Sequence, residues 1–171
     1  RSERAPSIEE LFSNVDGTGP ENWVAHAATA AIELGDPDLD TEVSNNVDLS
    51  LHWHNGNKDL EFTVFHNDFS DYITLMNTGA EVDELPVLAY VQEDATFYGV
   101  EVNAQFGLGT FVGGEVGLAV FGDMIRGELD NGDDVPRLPP HRIGGRLSWS
   151  TDVLEVWTRV QDAASQNRPG A

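Results

Sequence analysis

Residues 97–106, FYGVEVNAQF, decide how the rest of the chain is read. Tyr98, Val100, Val102, Ala104 and Phe106 are apolar, and Glu101, Asn103 and Gln105 between them are polar. A period of two marks a strand whose two faces meet unlike surroundings. The open question is what the apolar face touches.

Working outward, the alternation recurs. It predicts strands over residues 42–54, 58–75, 94–106, 114–128, 141–150 and 153–163. In the first, Val47, Leu49, Leu51 and Trp53 alternate with Asp48, Ser50, His52 and His54. The Asn55-Gly56-Asn57 turn that follows has a hairpin signature. The pattern of the second strand blurs around His66-Asn67-Asp68, as a bulge would make it. Residues 4–14 predict a short helix, with Ser7 and Glu10 spaced as a capping box.

Composition narrows the function. Thirty acidic residues against nine Lys plus Arg give a formal net charge of −21, a field that repels nucleic acid and attracts cations. The acids gather in a few segments, DGTGPEN, ELGDPDLDTE, GAEVDELP and GELDNGDDVP. With no cysteine in the chain, disulfides, thiolate catalysis and Cys-ligated zinc are not available to it. No apolar run is long enough for a membrane-crossing helix. The opening RSERAPS reads as a cut into a longer sequence.

Short turns join the first strand to the second, the third to the fourth and the fifth to the sixth. Longer acidic segments join the others. The fold class is therefore all-β, an antiparallel up-and-down meander. Such a sheet either turns its apolar face into a soluble core or turns it outward to lipid. Three features favour lipid. The strands reach or exceed the roughly 9 to 11 residues that span a bilayer. The loops are asymmetric, and the polar faces carry small or uncharged groups such as Ser50, Thr63, Asn103 and Gln105. Trp53 and Trp149, near the short turns, suit an interfacial girdle or a core.

Several segments also resemble the barrel of TonB-dependent outer-membrane receptors. ERAPSIEELF is similar to that family's RAP-S-x-x-E-L-(Y/F) segment, and GDPDLDTEVSNNVDLSL to the segment that follows it. FHNDFSDYI, FYGVEVNAQF and VPRLPPHRIGGRLSW resemble three later segments, in order, up to Trp149. The resemblance implies about six strands of a larger transmembrane β-barrel, in the outer membrane of a Gram-negative bacterium. It implies a plug domain and final strands beyond this chain, and partnership with the TonB complex through that plug. It implies contact with the lipid bilayer and active uptake of a small-molecule or metal substrate, with no enzyme chemistry and no cofactor. Residues 15–41, 77–93 and 129–136 would be extracellular loops. Residues 55–58, 107–113 and 151–152 would be periplasmic turns.

Candidate ligands are few. His26, Glu33 and Asp36 share the long early loop, and imidazole with carboxylate is a sound shell for zinc. Zinc or a metal chelate is accordingly the substrate class to test, although Asp-Pro-Asp is equally turn chemistry. The acidic groups Glu81, Asp83, Glu84 and Asp130, Asp133, Asp134 read as calcium ligands or as solvated loop. His52 and His54 share a face. In the alternative reading they are the metal pair of a soluble cupin-type metalloprotein or metalloenzyme, with Glu61 and His141.

Overall fold

The computed structural model describes residues 1–15 and 19–166. Its strands are β1 (Ser2–Arg4), β2 (Ala25–His26), β3 (Ala31–Leu34), β4 (Glu42–Asn55), β5 (Lys58–Val82), β6 (Leu85–Phe111), β7 (Gly114–Leu129), β8 (Arg142–Ser150) and β9 (Glu155–Ala163). They form one sheet in the order β1-β4-β5-β6-β7-β8-β9, antiparallel throughout. β2 pairs with β3, and β3 joins β6 in parallel. The meander is the predicted one.

Register converts the alternation into two surfaces, because residues directly opposite in an antiparallel pair point to the same face. One row runs Leu51–Phe62–Val102–Gly122–Ile143, and the next Trp53–Leu60–Ala104–Val120–Gly145–Val160. A third runs Leu49–Val64–Val100–Met124. This apolar band crosses six strands and lies open: Leu49 is 70% exposed, Ile143 61% and Val160 73%. Contiguous apolar surface on this scale is not left facing water. On the other face the rows read Ser50–Thr63–Glu101–Asp123–Arg142 and His52–Glu61–Asn103–Phe121–Gly144–Gln161.

The ends of the sheet differ. At one end the strands meet in short turns, including the Asn55–Lys58 turn, where Gly56 takes a φ of 62° that favours glycine. At the other end β5 and β6 continue well past the apolar band. Residues 77–93, expected to be a loop, are mostly hairpin, turning at Asp83 and Glu84. At roughly 3.3 Å per residue, the ten steps from Tyr72 to Val82 carry the hairpin about 33 Å beyond the band. The bulge lies slightly later than the sequence suggests, between Phe69 and Tyr72, with Asp71 at φ 56°.

The early segment is more ordered than its composition implies. The helix α1 is short, Ile8–Phe12, and carries the predicted capping box between Ser7 and Glu10. Gly35 approaches α1 so closely that a Cβ there would lie 2.7 Å from the backbone at Leu11–Ser13. Only glycine allows this contact.

Candidate lumen wall and capture loops

Among the described residues, the buried apolar side chains other than Ala104 gather at the long-loop end and not under the centre of the sheet. Ala95, Phe97, Leu129 and Val135 form the cluster, with Phe69, Tyr72 and Leu138 packed against it. The rings of Phe69, Tyr72 and Phe97 meet edge-to-face at 5.2–5.4 Å between centroids, a geometry that adds to simple area burial. Val135 donates its amide to the Gly127 carbonyl at 2.9 Å, folding residues 130–138 back onto the sheet. A Cβ on Gly127 would lie 2.8–2.9 Å from Phe97 and Leu138, so this closure also needs a glycine.

Segments far apart in sequence meet at one ionic knot. The Arg4 guanidinium lies 2.9 Å from Glu10 and 3.0 Å from Glu42. Glu42, buried, also accepts the Ile73 amide at 3.1 Å. Its hydrogen bonds to Glu42 and Glu10 raise the Arg4 pKa further above its already high value. Burial pushes the Glu10 carboxyl up, but the Arg4 and Ser7 hydrogen bonds outweigh it and hold Glu10 below the ordinary range.

His26 and Glu33 are brought together, with His26 Nδ1 3.0 Å from Glu33 Oε1. Glu33 is 4% exposed and also accepts hydrogen bonds from Thr29 Oγ1 at 2.8 Å and the Tyr90 hydroxyl at 3.1 Å. Burial alone would raise its pKa; the bonds from His26, Thr29 and Tyr90 overcome that and lower it. Tyr90 is pushed up to about 12 by burial and by the Glu33 charge. Asp36 does not join this group. Its Oδ1 accepts the Asp38 amide at 2.9 Å in a local turn. Among the described residues, no three His, Asp or Glu side chains converge as a metal shell. The Asn131 side chain likewise closes its own turn, accepting the Asp133 amide at 2.8 Å.

The polar face of the sheet changes character from β4 to β9. His52, His54, Asp59 and Glu61 occupy one side. On the other, Arg142, Arg146 and Arg159 are three of the chain's nine basic residues. Arg142 pairs with Asp123 at 2.8 Å, and Arg146 with Glu155 while stacking on Trp157 at 4.8 Å. Arg159 lies 4.3 Å over Phe121 and donates to Gln161 at 2.8 Å. A wall of this kind suits water and polar solutes. Sequence reasoning missed Tyr90, Thr29 and Arg4 as site-forming residues, since no local pattern marks contacts spanning up to 57 residues.

The sequence matches the family model described as TonB dependent receptor-like, beta-barrel, over residues 1–170. The chain belongs to the TonB-dependent receptor family. It is similar to the iron-regulated outer membrane virulence protein of two Vibrio cholerae serotype O1 strains, ATCC 39541 and ATCC 39315. Each match is 29% identical over 149 residues, covering 79% of this chain and 22% of the relative. Its fold resembles that of the copper transporter OprC, with a TM-score of 0.75 at 18% identity, over 98% of this chain and 23% of that one. The siderophore receptor PirA from Pseudomonas aeruginosa overlaps at a TM-score of 0.50 and 14% identity, over 97% and 32% of the two chains. The chain thus spans about a fifth of the length of the curated relatives it matches.

As part of a TonB-dependent receptor barrel, the sheet belongs to the outer membrane of a Gram-negative bacterium. Its apolar band is the lipid-facing surface and its polar face the lumen wall. The question posed by residues 97–106 is answered by lipid. The cupin-type alternative gives way to this family. Its pieces are also apart, because His52 and His54 lie on β4 while His141 immediately precedes β8, four strands away across the sheet.

Proposed function

We propose that this chain is the wall and part of the outer loops of an importer that takes a scarce nutrient across the outer membrane, energised through TonB. The plug that contacts TonB, and the barrel's closing strands, would lie outside these 171 residues. The observation that carries this reading is the open apolar band backed by a charged, polar wall, in a chain matched over 1–170 by the receptor family. Under it, the long-loop end faces outward. Residues 15–41, the β5–β6 hairpin and residues 129–138 would be the first surfaces to meet substrate.

A metal-bearing cargo is supported by the relatives, whose names point to iron regulation, copper transport and a siderophore. His26, Glu33 and Asp36 would contribute to metal capture, zinc included. The His26–Glu33 contact supports the first two, while Asp36 would have to leave its own turn to join. Uptake of radiolabelled iron–siderophore, copper and zinc by source cells, with and without the receptor and with and without TonB, tests the reading. TonB-dependent loss of one cargo in the deletion strain supports it. Unchanged uptake of all three removes the metal assignment.

A further inference from the structure

On the lumen wall near the Asn55–Lys58 turn, two histidine–carboxylate pairs stand in adjacent rows. His54 Nδ1 is 2.5 Å from Asp59 Oδ1, and His52 Nδ1 is 3.7 Å from Glu61 Oε1. The pairs are cross-strand neighbours, His52 opposite Glu61 and His54 opposite Asp59. Both imidazoles are open to the lumen side, with side chains 67% and 69% exposed. Asn103 and Gln105 continue the two rows on β6 and line the same hollow.

Two features suit these histidines to a metal. Residues i and i+2 of a strand share a face about 6.6 Å apart along it, a spacing that imidazole side chains can close onto one ion. Each ring also turns Nδ1 toward a carboxylate, and neither Nε2 has a partner among the described residues. The Asp59 carboxylate on His54 Nδ1 fixes that ring's tautomer, orients it and makes its Nε2 a better ligand, while Glu61 stands 3.7 Å from His52 Nδ1, a charge neighbour and not a hydrogen-bond partner.

We propose that His52 and His54 form a two-imidazole site for a divalent transition-metal ion on the lumen wall, with Asp59 and Glu61 as positioning residues. Imidazole donors favour copper, zinc and nickel over magnesium or calcium. The remaining coordination positions would be filled by water, leaving the ion exchangeable. The site is separate from the capture role proposed for His26, and it stands whichever nutrient the receptor imports.

The test uses the full receptor, purified in detergent and titrated with Cu²⁺ alone. Electron paramagnetic resonance should show nitrogen coupling from two imidazoles, and calorimetry should count the ion. His52→Ala/His54→Ala should lose one equivalent together with that coupling. Asp59→Asn should keep the stoichiometry and weaken binding by about tenfold or more. Heat-modifiable migration on gels checks that each variant barrel is closed. Should the double variant fail that check, His52→Gln/His54→Gln replaces it. A wild-type spectrum without two-imidazole coupling overturns the proposal on its own, as does a closed double variant that binds copper with unchanged number and affinity. Cargo uptake is measured separately, so failure of the import reading does not decide this site.

Discussion

The Arg4 guanidinium sits 3.0 Å from the Glu42 carboxylate, which in turn accepts the Ile73 amide at 3.1 Å. One buried carboxylate thereby holds the start of the chain, β4 and the bulged part of β5 together. Replacing Arg4 by Ala leaves Glu42 covered with its charge no longer matched, at a cost of about 1–3 kcal/mol. Hydrogen exchange should speed up in β1, α1 and at Ile73, while the β7–β8 pairing stays protected. Unchanged exchange at Ile73 would separate Glu42 from this role.

The Glu33 group should respond to pH on both sides. Glu33 has a lowered folded pKa, so its stabilisation is present above the ordinary carboxylate value and is lost as pH falls through the folded one. Tyr90 is the reverse case. Its folded pKa is raised to about 12, so its stabilisation is complete below the ordinary value of 10.0 and fades as pH rises toward 12. Protease cleavage within residues 25–34 should therefore be slow in between and faster at both extremes. Glu33→Gln should flatten the acid side of that profile.

Gly127→Ala should lift residues 130–138 off the sheet. The added Cβ would crowd Phe97 and Leu138, at 2.8–2.9 Å, and overpacking of this kind costs about 1–3 kcal/mol. Faster exchange of the Val135 amide is the readout. The barrel itself, measured by heat-modifiable migration, should persist.

Depth and face can be separated by two adjacent arginines. Val102→Arg places a charge in the apolar band and should cost about 2–4 kcal/mol at mid-membrane depth, lowering the yield of assembled receptor. Asn103→Arg points to the lumen and should assemble near the wild-type level.

What the sequence revealed follows from which residues face two different media. Val47 to Trp53 and Tyr98 to Phe106 alternate because lipid lies on one side and a wet lumen on the other, so a shift of one residue would put every side chain wrong. Beyond the band that constraint lapses. Residues 77–93 project past the band, and GAEVDELP keeps a strand without keeping a pattern. β3 is four residues long and is held by parallel pairing to β6, with Ile32 opposite Val87. Nothing local records such a partner. The knot at Arg4 and the Tyr90–Glu33 bond are likewise contacts between distant segments. The motifs could be recognised in the sequence, but their meeting point could not.

Site-directed spin labels along residues 100–105 of the receptor in bilayers test the lipid-facing assignment most directly. The 171 residues contain no cysteine to remove first. Labels at 100, 102 and 104 should collide with dissolved oxygen, and labels at 101, 103 and 105 with a water-soluble nickel chelate, in strict alternation. Uniform accessibility, or the opposite phase, would mean that the apolar face of this sheet does not meet lipid.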